Sequence, residues 1–189
     1  MDLNNKIIFK KYSDLAEDFL YTPRALLSIY ASIFDPLQLL GCFILVGKQL
    51  LNECLQKKLA WDDDLQRLGP AFMKKLNWWL GDIRLVSMAT FDRYVNFGPT
   101  SVIAVFCDAS LAGIGCNVYV VTPTSSGTTS NLLVAKAKVS PQSDINFTVP
   151  RLEIRAVKVA TDLAIELSND FKIPGDRFYF FSDSLPCVF

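Results

Sequence analysis

The sequence predicts an α/β chain in which a helical segment precedes a mixed sheet of order β-β-β-α-β. Three observations predict it. Apolar residues between positions 22 and 93 recur at helical spacing. A turn-rich stretch, "NFGPTS" (Asn96 to Ser101), closes that region, and short apolar runs replace the helical pattern beyond it. The first and last of those runs each end on an aspartate, and an amphipathic helical pattern lies between them.

In the helical segment, Thr22-Pro23 has the residues of a helix start, threonine as cap and proline at the first helical position. Leu26, Leu27, Ile29, Tyr30, Ile33 and Phe34 follow at helical spacing, and Asp35-Pro36 interrupts them. The apolar run continues through Leu55. Its richest part, "LQLLGCFILVG" (Leu37 to Gly47), is too short to span a bilayer and predicts a buried helix, not a membrane contact. "WDDDLQRLGPAFMKKLNWWLGDI" predicts an acidic turn, a Gly-Pro break, and a helix burying Phe72, Leu76, Trp79 and Leu80. The run Asp62–Asp64 has two readings, a cation site and a solvated helix start that suits the helix dipole.

Beyond the turn-rich stretch, "SVIAVFC" is apolar on both faces and suits a central strand leading to Asp108. "GIGCNVYVV" is a second strand. "LLVAKAKVS" predicts a half-buried third strand, with Leu133, Ala135, Ala137 and Val139 sharing one face and Lys136 and Lys138 pointing the other way. Leu152, Ala156, Val159, Ala160, Leu163 and Leu167 mark a helix from Pro150, with Glu153 expected in its first turn. "RFYFFSD" is a last strand ending at Asp183.

Composition excludes several chemistries. The chain has 189 residues, 19 basic and 19 acidic side chains and no histidine. Ser-His-Asp and Cys-His nucleophilic sites and Cys/His zinc sites cannot be built from it. No Walker loop or GxGxxG is present. There is no basic excess to announce a broad nucleic-acid surface, so any such site must be local. The five cysteines, Cys42, Cys54, Cys107, Cys116 and Cys187, show no CxxC spacing and sit mostly in apolar runs. They read as reduced thiols of an intracellular protein, and "MDLNNKIIFK" lacks a signal-peptide pattern.

The simplest topology for the strand order gathers the acids. Three strands make an antiparallel meander, and the helix crosses to a fourth strand parallel to the first. Asp108, Glu153 and Asp183 would then meet at one end of one sheet. Converging carboxylates repel one another unless cations neutralise them, and Mg2+ or Mn2+ suits such hard oxygen donors. A two-ion site of this kind hydrolyses phosphodiesters. Gly113 and Gly115 are expected to let the backbone turn and a polymer approach. Each residue also has a plain structural role: an Asx turn at Asp108, a bulge at the glycines, a helix-dipole partner at Glu153, a cap at Asp183.

"FCDAS", "AKAKVSP", "VPRLEIRAV" and "RFYFFSDS" resemble the ribonuclease H-like segment of BEL/Pao-type retrotransposon polyproteins, a region often labelled Pao retrotransposon peptidase. "LLSIYASIFDPLQLLG" and "KLAWDDDL" resemble the segment that joins reverse transcriptase to it. The resemblance covers about residues 20–189. It implies a ribonuclease H-like mixed sheet, truncated at its C-terminal end. Residues 1–97 would be a helical thumb/connection-like segment and 98–189 the ribonuclease H-like domain. It implies cleavage of RNA in RNA–DNA hybrids by Asp108, Glu153 and Asp183, and polyprotein neighbours such as reverse transcriptase and integrase, in the cytoplasm or a virus-like particle. Lys136, Lys138, Arg151 and Arg155 are the basic residues nearest for phosphate contacts, with ordinary solvated charge as the other reading. The family's fourth metal-binding carboxylate and the polymerase Tyr-x-Asp-Asp are absent, so the chain reads as a fragment inactive alone. Where family text runs like "FDPLGLLSP", this chain has "FDPLQLLGCF", expected to matter only for local packing. Two further readings stand beside the nuclease. One is a non-catalytic connection segment. The other is an aspartic peptidase, disfavoured because neither Asp108-Ala109-Ser110 nor Asp183-Ser184-Leu185 has the required glycine.

Overall fold

The computed structural model describes residues 5–9, 19–140 and 148–184. The chain forms two compact units, Met1–Pro36 with Leu40–Phe91, and Leu37–Leu39 with Asp92–Phe189.

The first unit is built from α1 (Pro23–Ser32), α2 (Gly41–Gln56), a 3-10 turn (Leu65–Leu68) and α3 (Pro70–Val86). Thr22 opens α1 as expected, its hydroxyl accepting the Ala25 N–H at 3.2 Å. The helix stops at Ser32, where Ile33 turns extended, so Phe34 falls outside it and is 81% exposed. The end of the predicted helical range is a strand: β2 (Thr90–Asp92) pairs with β1 (Lys6–Ile8). Trp79 anchors the interior at 1% exposure. Its indole N–H donates to the Phe43 carbonyl at 2.9 Å, and its ring stacks on Phe43. Gly47 makes room for that ring, because a Cβ there would stand 2.6 Å from a Trp79 carbon.

All three residues of the acidic run have protein partners. Asp62 takes a two-pronged pair from Arg24 at 2.7 and 2.8 Å. Asp63 accepts the Ala60 N–H and pairs with Arg67, and Asp64 caps the 3-10 turn at Gln66. The hydrogen bond and charge of Arg24 hold the Asp62 carboxyl below its usual range. These are the contacts of a helix start, not of a cation site.

The second unit holds β3 (Val102–Ala109), β4 (Gly113–Thr124), β5 (Gly127–Val139), α4 (Val149–Phe171) and β6 (Phe178–Phe181). The sheet order is β5-β4-β3-β6. β3 and β4 are antiparallel, as are β4 and β5, while β6 runs parallel to β3. This is the predicted meander with its crossover. One face is the core: Ile103, Val105 and Cys107 of β3 pack with Cys116 and Val118 of β4 and with Leu152 and Ala160 of α4. Each fully buried aliphatic side chain there contributes roughly 1.5–3 kcal/mol. The "NFGPTS" stretch is tied to this unit. Ser101 and Thr122 share a buried hydrogen bond of 2.8 Å, Thr122 donates to the Asn96 carbonyl, and Arg177 donates to the Gly98 carbonyl.

In β5, Ala135 and Ala137 are buried and Lys138 is exposed, as the alternation predicts, but the alanines are not on the side of the sheet that α4 covers. Lys136 is opposite Cys116 and Lys138 opposite Ile114, both core-face residues, whereas Ala135 and Ala137 oppose Asn117 and Gly115 on the other face. The Lys136 stem lies toward α4, where its ammonium pairs with Glu166 at 3.0 Å. A register shift between Val118 and Tyr119 leaves Leu133 as an extra residue, which exchanges the faces along the strand.

Candidate active site

β3 and β6 carry the first and last acids to one edge. Their parallel pairing runs from Ile103 opposite Phe178 to Phe106 opposite Phe181. Asp108, still paired with Gly115 in β3, and Asp183, just past β6, each stand two residues beyond Phe106 and Phe181 toward the carboxyl ends of the two parallel strands. Phe106 and Phe181 stack just before them, ring centroids 4.8 Å apart at 16°, and the Cys107 thiol donates to the Phe181 carbonyl. The stack fixes the neighbouring strand ends before the acids begin.

Glu153 arrives from α4. That helix begins at Val149, so Glu153 opens its second turn instead of lying in the first. Its carboxylate accepts the hydroxyl of Ser184 at 2.5 Å. Ser184 follows Asp183 directly and is 4% exposed. The third acid is thereby held against the segment that carries the second. Ser184 was not singled out in the sequence, because nothing local marks it as a partner of a residue 31 positions away.

Asp108 is exposed, and its carboxylate accepts the Ala109 N–H at 2.6 Å. The hairpin beyond it is fixed by Ser110, which accepts the N–H groups of Ala112 and Gly113. Ser140 donates to the Ser110 carbonyl at 2.8 Å. Gly115 lies opposite Asp108, and a Cβ there would meet nothing within 4 Å. Neither Gly113 nor Gly115 has positive φ, so conformational freedom is not what these glycines provide. Gly115 instead leaves open space beside Asp108. The same face holds a hollow of about 410 Å3 lined by Phe106, Asn117, Tyr119 and Ser130.

An oxygen-only donor set suits a hard divalent cation. Among the described residues, however, no three His, Cys, Asp or Glu side chains stand together so as to hold a metal ion. The topology therefore brings the three acids to one edge without closing them into a cage. Of the basic candidates, Lys136 is committed to Glu166 on the helix side of the sheet and does not face this edge as a phosphate contact would. Lys138, Arg151 and Arg155 are exposed.

Among the described residues, Cys42, Cys54, Cys107 and Cys116 are free thiols, the first exposed and the other three buried. Burial pushes the Cys116 thiol up to about 11, with Cys107 adding to the shift and Lys136 opposing it. Cys187 lies outside the described residues, as does the helix start expected after Asp183. No helix among the described residues is long and apolar enough to cross a membrane.

The family described as Pao retrotransposon-like RNaseH-like domain matches residues 22–184. The chain belongs to that family. Its mixed four-stranded sheet with α4 on one face is accordingly an RNase H-like fold, and the Pao retrotransposon-like match extends back through the helices of the first unit. No curated protein matches this Pao retrotransposon-like chain. Among solved structures, it is similar to a foamy viral protease-reverse transcriptase in complex with RNA/DNA hybrid, at 13% identity and a TM-score of 0.48. That alignment covers 94% of this chain and 27% of the other, so the chain spans about a quarter of the viral protein's length.

Proposed function

We propose that this chain is the ribonuclease H portion of a BEL/Pao-type retrotransposon polyprotein and that its chemistry is cleavage of the RNA strand of RNA–DNA hybrids. Residues 1–97 serve as the connection from a reverse transcriptase, and 98–189 form the nuclease domain, working beside the polymerase and integrase of the same polyprotein. The reading is supported by the parallel pairing of β3 and β6, which puts Asp108 and Asp183 two residues past Phe106 and Phe181, and by the Ser184 bond that ties Glu153 to the residue after Asp183.

Asp108, Glu153 and Asp183 are the residues that would hold Mg2+ or Mn2+. Bound as a pair, such ions would supply an activated water and neutralise the leaving oxygen of a phosphodiester. The chain's own part is positional. The Phe106–Phe181 stack sets the spacing of the two strand ends, and Ser184 fixes the third carboxylate. The open space over Gly115 lets a polymer backbone come close to Asp108. Lys138, Arg151 and Arg155 supply phosphate contacts, and 2′-hydroxyls distinguish the hybrid from DNA.

The test is hydrolysis of a hybrid labelled in its RNA strand, with Mg2+ or Mn2+ present. Cleavage that disappears with chelator and in Asp108→Asn and Asp183→Asn supports the reading. Undiminished cleavage in Asp108→Asn sinks it. A second reading, a connection module without catalysis, is favoured by the absence of a three-acid group among the described residues. Hybrid binding with no cleavage under any divalent cation would select it.

A further inference from the structure

The Leu37–Leu39 segment has a job that the nuclease reading does not use. β5 is an outer strand of the sheet, and its inner side is paired with β4 along Gly127–Val139. An outer strand presents unpaired N–H groups and is prone to recruit strands from other chains. Two of the outward N–H groups of β5 are nevertheless bonded. Ala135 donates to the Leu37 carbonyl at 2.9 Å. Ala137 donates to the Gln38 side-chain carbonyl, Oε1, at 3.0 Å, across 99 positions of sequence.

The geometry of Gln38 explains why a side chain serves as the second acceptor. Outward N–H groups recur every second residue, roughly 6.5–7 Å apart along a strand. One backbone carbonyl cannot reach both. A partner that stayed extended would offer a second carbonyl two residues on. This segment does not stay extended, because Gln38 has φ 52°. The chain bends away after Leu37, and the Gln38 amide oxygen stands in for the missing backbone acceptor. A left-handed backbone is unfavourable for an ordinary residue, a penalty glycine avoids. Glutamine here tolerates that conformation while making a bond glycine cannot make.

We propose that the outer edge of β5 is a docking site for a bent segment, that its occupant is Leu37–Leu39 of the same chain, and that Gln38 is the residue that selects it. The segment closes the sheet edge in cis and withholds it from strand addition by a second copy. This inference is independent of the acids and of any nuclease activity.

The experiment is residue-resolved amide hydrogen exchange by NMR on the full chain and on Gln38→Ala, Gln38→Gly and Gln38→Glu. A net hydrogen bond of about 1 kcal/mol corresponds to roughly a five-fold change in exchange. Ala137 is expected to exchange about five-fold faster in the Ala and Gly variants. Ala135, still bonded to the Leu37 carbonyl, changes less. Gln38→Glu keeps an acceptor oxygen and restores Ala137 protection. Gln38→Ala removes the bond and keeps the backbone strain, whereas Gln38→Gly removes both, so comparing the two separates the bond from the strain. Unchanged Ala137 exchange in Gln38→Gly overturns the proposal, as does acceleration in Gln38→Glu equal to that in Gln38→Ala. Protection of Ala137 in Gln38→Gly that grows with protein concentration would assign the edge to a second copy and overturn the stated occupant.

Discussion

Ser184→Ala is the sharpest probe of how the third acid is held. The hydroxyl is nearly fully buried and donates to the Glu153 carboxylate. A hydrogen bond to a charged group contributes about 1.5–3 kcal/mol net. Glu153 is only half-buried, so water recovers part of that loss, and about 1–2 kcal/mol is expected. Serine and alanine differ little in volume, so no cavity cost is added. At a urea dependence of about 2 kcal/mol/M, the midpoint falls by roughly 0.5–1 M. Far-UV circular dichroism reads the change. Trp61, Trp78 and Trp79, the chain's 3 tryptophans, all lie in the first unit, so their fluorescence serves as an internal control that should shift less. A double-mutant cycle with Glu153→Ala isolates the pair, with an expected coupling of about 1 kcal/mol. Additivity of the two substitutions within about 0.3 kcal/mol would refute the reasoning that Ser184 fixes Glu153.

Other substitutions test the packing and the titrating groups. Gly47→Ala drives a methyl into the Trp79 ring, which is buried, stacked and hydrogen-bonded. The overpacking cost of about 1–3 kcal/mol exceeds the roughly 1 kcal/mol gain in helix propensity over most of its range, so thermal unfolding should occur at lower temperature. Gly81→Ala, with open space at its Cβ, should instead raise stability by up to about 1 kcal/mol in the same scan. At pH 8, alkylation mapped by mass spectrometry should label Cys42 well before Cys54 and Cys116, which are buried and have thiols pushed up to about 11. A raised folded value means that the contribution is present below the unfolded value of about 9 and is lost as pH rises toward 11, so urea midpoints should fall across that window. For Asp62 the sign is opposite. Its lowered folded value gives stability above the ordinary carboxylate range that is lost in acid, and Asp62→Asn should flatten the acid limb of a pH–stability curve.

The parts of this fold that sequence reveals are those set by local rules. Thr22-Pro23 announces α1 because a cap hydroxyl and a ring-locked φ act within four residues. The meander and its crossover follow from the strand order, and so does the level placement of Asp108 and Asp183. What escapes is set by distant or ambiguous partners. Alternation shows that β5 has two faces but not which one meets α4, and the extra residue at Leu133 exchanges them. Lys136 therefore looks like a solvent or phosphate contact in sequence while its ammonium is bound to Glu166. Ser184 and Gln38 each serve a partner far along the chain, so their neighbours carry no sign of it. Phe34 continues a helical stripe that the backbone has already left, because Asp35-Pro36 disfavours further helix.

The pairing of β3 with β6 also sets an order of events in time. The hairpins β3–β4 and β4–β5 join neighbours in sequence and can close within microseconds. The Cys107–Phe181 contact bridges 74 positions, and such non-local closure is slow. Asp108 is in place as soon as the first hairpin forms, whereas Asp183 joins it only after α4 has been made and laid across the sheet. A nascent chain thus presents Asp108 without Asp183 until α4 has been made.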